Sequence, residues 1–190
     1  MNDPKTIAEQ LLHGARSQEP KITDALLEIA NSHGCRLAGL EFKLKSLDSL
    51  IRKIKTDAKL DGLSFDAAGK LINDVLRYTM IFNVHTFGEQ YLNIKRHLSN
   101  EGFIFRRVKN TWLDNNTYNG VNTNIEFNGL SFELQFHTQE SFDLKNGLLH
   151  NLYEERRQIG ITQQRQLFLD KQMVSLSQKL EIPNGIKGVE

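Results

Sequence analysis

The chain has 190 residues, with 24 Lys and Arg against 23 Asp and Glu, for a net charge of +1. That balance excludes a histone-like polybasic binder and a disordered acidic tail, and 3 Pro with 13 Gly exclude collagen-like and low-complexity chains. The single cysteine, Cys35, has no partner in the chain, which excludes an internal disulfide and a zinc site of several thiolates and suits a reducing compartment.

In chain order, Ile7, Leu11 and Leu12 recur at helical spacing, and Ile22, Leu26, Ile29 and Ala30 repeat the pattern in a second helix. Gly34 is the expected left-handed cap that closes it. Arg36 to Leu44 alternates apolar and polar positions as a strand does. Ser46 caps a helix running to Ile54, and a short helix covers Ser64 to Leu71. Val75 to Val84 is a second strand, rich in β-branched and aromatic residues. Phe87 to Glu101 is an amphipathic helix stopped by Gly102, and Phe103 to Val108 is a third strand. Lys109 to Gly120 reads as an Asn-rich loop. Val121 to Phe127 and Leu130 to His137 form a hairpin across Asn128-Gly129. Thr138 to Ile159 and Gln163 to Leu180 are helical, and the tail with Pro183, Gly185 and Gly188 is expected to fray.

Intermixed strands and helices with a terminal hairpin predict an α/β (α+β) domain on a mixed five-stranded central sheet flanked by helices. The expected division is a helical extension over 1–34, a core over 35–160, and a C-terminal helix with a frayed tail over 161–190. The first ten residues lack the apolar core of a signal peptide. No apolar run approaches the roughly 20 residues that span a bilayer. A soluble protein without a membrane partner is expected, cytoplasmic or released by a route that needs no signal peptide.

Four groups of residues have the makings of chemistry. Lys43 and Lys45 lie two apart on a strand end, and Ser49 and Lys53 lie four apart on the helix that follows. Converging ammonium groups at a helix start suit a polyphosphate, although a solvated basic helix face has the same spacing. Asp74 precedes a strand that contains Arg77, a place for a divalent-cation ligand, although a strand-capping Asp and an Arg whose stem packs along the sheet give the same pattern. Alternation puts Glu133, Gln135 and His137 on one sheet face, where a carboxylate can bind Mg²⁺ or take a hydroxyl proton, although an ordinary exposed sheet face has the same alternation. Lys145, His150, Tyr153, Glu154 and Arg157 belong to one helical stretch, and the last four share a face that a salt-bridged helix surface would also produce. No P-loop, HExxH, GxSxG or GxGxxG motif is present.

The order of these groups resembles the RelA/SpoT synthetase family, which transfers a pyrophosphoryl group from ATP to the 3′-hydroxyl of a nucleotide. The resemblance covers about Leu37 to Arg157. Lys43, Lys45, Ser49 and Lys53 fall in the register of the family's Arg-x-Lys-x-x-x-Ser-x-x-x-Lys ATP-site pattern, with Lys43 in place of Arg. Asp74 resembles the Mg²⁺-binding Asp. Tyr118 resembles the tyrosine that stacks on the acceptor base, and Asn122 stands where that motif has His. Glu133 and Gln135 match the Glu-x-Gln strand, whose Glu serves Mg²⁺ and the attacking hydroxyl. His150 and Tyr153 resemble the His-x-x-Tyr of the next helix. The family's Gly-x-Arg after the Asp is absent: Arg77 lies two positions early and Thr79 holds the Arg register. A guanidinium stacks on a base better than an ammonium does, so Arg77 or Arg36 is the candidate substitute.

The resemblance implies the RelA/SpoT synthetase (nucleotidyltransferase-like) fold and an Mg²⁺-dependent pyrophosphokinase. Lys43, Lys45, Ser49, Lys53 and Arg77 would bind ATP, and Asp74 and Glu133 would hold the cation and serve catalysis. Tyr118, Asn122, Lys109, Gln135, His137, His150, Tyr153 and Arg157 would line the acceptor site. Arg106, Arg107 and Lys109 would grip acceptor phosphates if their strand let them share a face. The acceptor would be a guanosine or adenosine nucleotide or a tRNA 3′ end. The altered motifs look like a divergent, phage-linked or secreted toxin or effector branch, which adds an immunity or antitoxin protein as a partner. The rivals are a nucleotide- or RNA-binding module on the same fold, and an effector with other chemistry. The resemblance requires the Asp74 and Glu133 carboxylates to share a sheet face, roughly within 4–8 Å of each other.

Overall fold

The computed structural model describes residues 2–113, 115–158 and 160–190. Helix α1 runs unbroken over Pro4–Ser32, where two helices were expected. Asp3 caps it, accepting from the backbone N–H of Lys5 and Thr6 at 2.9 and 3.1 Å. Pro20 interrupts the apolar pattern, but the helix passes through it and serves two cores. Ile7, Ala8, Leu12 and Ala15 pack with Leu50, Ile54, Ile72 and Val75. Ile22, Leu26, Ile29 and Ala30 pack on the sheet. Gly34 closes the helix at φ +64, and the Cys35 N–H returns to the Ala30 carbonyl at 3.0 Å.

Strand β1 is short, Arg36–Ala38, and ends at Gly39 with φ +65 and a 3₁₀ turn over Leu40–Phe42. The expected strand to Leu44 is therefore cut, and only a single bridge joins Leu44 to Leu76. Helix α2, Leu47–Asp61, starts at the Ser46 cap as expected and extends past Ile54 to Gly62. Helix α3 is Phe65–Lys70, strand β2 is Arg77–Phe82 and helix α4 is Phe87–Asn100. Strand β3 covers Ile104–Asn110, β4 Val121–Phe127 and β5 Leu130–Thr138. Asn128 and Gly129, at φ +50 and +77, make the turn that the hairpin demands.

The five strands form one mixed sheet in the order β1-β2-β5-β4-β3. β2 and β5 are parallel, and the other pairs are antiparallel. One face carries Tyr78, Met80, Phe82, Phe132, Leu134 and Phe136, buried with α1 and α4. The period of two sends Arg77, Thr79, Glu133, Gln135 and His137 to the other face. Helix α5, Gln139–Leu144, begins beside that face, fixed by a capping box in which Thr138 and Ser141 exchange backbone bonds of 3.1 Å. A π turn over Lys145–Leu149 separates α5 from α6, His150–Arg156. The expected single helix from Thr138 is thus three segments, and its expected end, Ile159, lies outside the described residues.

Helix α7 is Gln163–Ser177. The tail beyond it does not fray. Ile186 and Val189 are buried in the main core. The Gly88 N–H donates to the Asn184 carbonyl at 2.9 Å, and a Cβ on Gly88 would lie 2.7 Å from the Gly185 oxygen. Two glycines permit that approach, and two apolar side chains then anchor a segment that composition alone marks as loose. Among the described residues no helix is long and apolar enough to cross a membrane.

Candidate functional site

Six side chains form one hydrogen-bonded chain across the polar sheet face. Lys45 Nζ donates to Asp74 Oδ2 at 2.8 Å, and Arg77 Nη2 donates to the same oxygen at 3.2 Å. Arg77 Nε donates to Glu133 Oε2 at 2.6 Å. Gln135 Nε2 donates to Glu133 Oε1 at 2.8 Å, and the Gln135 oxygen accepts from the Lys145 ammonium. The backbone sets this order. Arg77 pairs with Glu133 and Thr79 with Gln135 in the parallel β2–β5 register, while Asp74 lies just ahead of β2. Asp74 and Glu133 touch one guanidinium, so they share a face.

Electrostatics follow from this packing. Burial works against the Asp74 charge, but the Lys45 hydrogen bond and the charges of Lys45, Lys53 and Arg77 outweigh it and lower its pKa. Lys45 is lowered by burial and by Arg77, against the pull of Asp74 and Glu133. Lys145 falls to about 8 through burial and the Arg77 charge, opposed by Glu133.

The other expected phosphate ligands divide. Ser49 lies in the first turn of α2, its N–H on the Ser46 cap at 3.3 Å. Lys53 pairs with Asp57 at 3.4 Å and stays close enough to act on Asp74. Lys43 does not converge with Lys45. Its ammonium lies 3.1 Å from Glu19 on α1. Strand alternation fails here because Lys43 closes the 3₁₀ turn in helical geometry, φ −61 and ψ −31. Arg36 reaches Gln139.

On the acceptor side, the half-buried Tyr118 takes the Asn122 amide on its hydroxyl. Its ring stacks on His137 at 6.3 Å, and the Lys145 ammonium lies 5.8 Å from the ring centre. Burial and the Glu133 charge raise the Tyr118 pKa. His137 is fully buried, with Nδ1 2.9 Å from Ser141 Oγ, and burial and the Lys145 charge push its pKa well below the usual value. It lies beneath the Tyr118 ring on the expected sheet face, fully buried. His150 and Tyr153 are exposed, and Arg157 pairs with Glu154 at 2.8 Å. Among the described residues, no hydrogen bond or ion pair joins α6 to β2 or β5. A π turn shifts the helical register between Lys145 and His150.

Cross-strand register adds two rows, Arg77–Glu133–Asn124–Arg107 and Thr79–Gln135–Asn122–Lys109. A bulge between Phe105 and Arg107 inserts Arg106, whose guanidinium lies 2.9 Å from Glu126 on the same face. The bulge lets Arg106, Arg107 and Lys109 share the polar face, which a regular strand forbids. The helical spacing of the fourth group leaves Lys145 off the face shared by His150, Tyr153, Glu154 and Arg157 and assigns it no place in the site. The signal that places it correctly is Ser141: four residues earlier on α5, it faces His137, and Lys145 follows it on that side.

The donors fit a hard divalent cation. Both candidate ligands are carboxylates, and Asp74 Oδ1 is buried without a partner. Among the described residues no cluster of three or more His, Cys, Asp or Glu exists. Two protein oxygens plus substrate phosphates and water are an ordinary Mg²⁺ environment.

No protein-family model matches the chain, and no curated protein matches it. Solved structures similar to the chain include two of one synthetase. The crystal structure of small alarmone synthetase 1 from Bacillus subtilis superposes with a TM-score of 0.57, covering 90% of each chain at 13% identity. The structure of that synthetase bound to its product pppGpp gives a TM-score of 0.49 at 12% identity, covering 75% of this chain and 72% of that one. The five-stranded α+β architecture is therefore that of a small alarmone synthetase.

Proposed function

We propose that the protein is an Mg²⁺-dependent pyrophosphokinase that moves the β,γ-pyrophosphoryl group of ATP to the 3′-hydroxyl of a nucleotide or of a tRNA 3′ end. The observation that carries this is the chain Lys45–Asp74–Arg77–Glu133–Gln135–Lys145 on the polar face of a sheet with the alarmone-synthetase fold.

Lys45, Lys53 and Arg77 bind the triphosphate, with Ser49 at the start of α2. Asp74 and Glu133 hold Mg²⁺, which when bound neutralises charge on the phosphate oxygens. Glu133 orients the acceptor hydroxyl and accepts its proton as O3′ bonds to the β-phosphorus. The bond from that phosphorus to the bridging oxygen breaks, and AMP leaves with the oxygen. Lys145 faces the charge on the acceptor side, and the Gln135 amide holds one Glu133 oxygen. Most of the acceleration is positioning and electrostatics.

A binding module without transferase activity is the second reading. It is favoured by Lys43, which is committed to Glu19 and leaves the adenine side without its expected cation. Incubation of the pure protein with labelled ATP, Mg²⁺ and GDP, GTP, ADP or tRNA separates the two. AMP release that needs an acceptor supports transfer, and tight ATP binding without AMP supports the module.

A further inference from the structure

We propose that Arg77 is a built-in counter-ion that occupies the divalent-cation position between Asp74 and Glu133 and swings onto nucleotide phosphates when the cation enters. This rests on the reading of Asp74 and Glu133 as the cation's ligands.

Three observations carry it. Among the described residues, Arg77 alone touches both carboxylates, at 3.2 Å to Asp74 Oδ2 and 2.6 Å to Glu133 Oε2. With Lys45 on Asp74 Oδ2 and Gln135 on Glu133 Oε1, only Asp74 Oδ1 is left without a partner. A cation that took both carboxylates would therefore meet the guanidinium and be repelled by it at contact distance. Exposure shows which group can yield. The Arg77 side chain is 39% exposed, while those of Asp74 and Glu133 are 16% and 11% exposed. Its backbone is pinned by the Arg77 N–H on the Lys43 carbonyl at 2.7 Å, so motion is confined to the side chain.

The chemistry of the group suits the exchange. A guanidinium carries a delocalised positive charge that offsets both carboxylates at once. Its planar fork matches phosphate oxygens as well as carboxylates. Coupling follows by linkage: whatever draws Arg77 onto phosphate favours the cation, and the cation favours phosphate binding. The cation and the triphosphate then enter together.

The test is calorimetric titration of Mn²⁺, a spectroscopically convenient substitute for Mg²⁺, into the full chain without nucleotide. Arg77→Gln is expected to bind Mn²⁺ roughly tenfold more tightly than the wild type, and to bind metal-free ATP several-fold more weakly. Equal or weaker Mn²⁺ binding in a folded Arg77→Gln protein overturns the proposal. A measurement on the wild type alone keeps it falsifiable if the variant does not fold. A non-hydrolysable ATP analogue is expected to raise Mn²⁺ affinity at the protein beyond the metal's own affinity for the analogue, and phosphate-free adenosine is expected not to. Identical behaviour of the two overturns it. None of these readouts needs turnover, so a protein that releases no AMP with any acceptor refutes the transferase reading and leaves the Arg77 result standing on its own.

Discussion

Gln135 donates its amide N–H to Glu133 Oε1 over 2.8 Å while its own oxygen takes the Lys145 ammonium. The ammonium thereby dictates which way the amide points, and the amide dictates how the carboxylate sits. Gln135→Leu removes both bonds and leaves the half-buried Lys145 ammonium without its acceptor. An unsatisfied buried group costs about 1–3 kcal/mol or more when charged, and urea unfolding of the variant should show a loss of that size. Unchanged stability would mean that the Lys145–Gln135 contact is not formed in solution.

The Lys145 ammonium also sets a pH dependence. Its pKa is about 8 in the folded chain against an ordinary 10.5. Between those values the unfolded chain binds more protons, so this group makes the fold more stable as pH rises. The cleft loses positive charge over the same range. Nucleotide affinity should therefore fall above about pH 8 while unfolding does not become easier. Binding of an acceptor nucleotide such as GDP, followed from roughly pH 6.5 to 9.5 in the wild type and in Lys145→Met, checks this, because the fall near pH 8 should vanish in the variant. A flat wild-type curve would contradict the assignment.

Lys43 and Lys45 should behave differently despite their spacing. Lys45 contacts Asp74, and Lys43 contacts Glu19 on α1. Lys45→Ala is expected to weaken ATP binding by roughly tenfold or more, and Lys43→Ala by roughly threefold or less. The Lys43 ion pair is partly exposed, so its stability effect should stay within about 1 kcal/mol. Equal losses in ATP affinity would show that the two lysines act on one ligand.

Gly120 is required by His137. A Cβ on Gly120 would lie 2.5 Å from His137 Cε1, and that ring is fully buried and cannot yield. Gly120→Ala should destabilise the fold by about 1–3 kcal/mol, the usual cost of overpacking. His137→Ala in the same chain should recover part of the loss attributed to the clash, which a double-mutant cycle in urea measures.

Some of this was legible in the sequence for simple reasons. Alternation along β5 places Glu133, Gln135 and His137 on one face because a strand has a period of two, and Asn128-Gly129 fixes the hairpin that carries them. Ser46 and Ser64 mark helix starts because their hydroxyls accept the backbone bonds there. Other features depend on the third dimension. Pro20 and the polar residues before it break the apolar period of α1, yet the helix continues because its halves pack on different cores. Lys43 departs from the strand pattern because Gly39 turns the chain out of strand geometry four residues earlier. The order of the tail leaves no local signal because it depends on the Gly88–Gly185 approach, 97 residues apart in sequence. The bulge at Arg106 and the π turn before His150 likewise move side chains by one register step that composition does not announce.

The most direct test of the central claim is acceptor-dependent AMP release. Labelled ATP and Mg²⁺ are incubated with the wild type and with Glu133→Gln, which keeps the shape of the side chain and removes its charge. The account predicts AMP and a 3′-pyrophosphorylated acceptor in equal amounts from the wild type, with a rate at least about a hundredfold lower in the variant. Wild-type protein that binds ATP and releases no AMP with any nucleotide or tRNA acceptor, or a Glu133→Gln protein as active as the wild type, would contradict it.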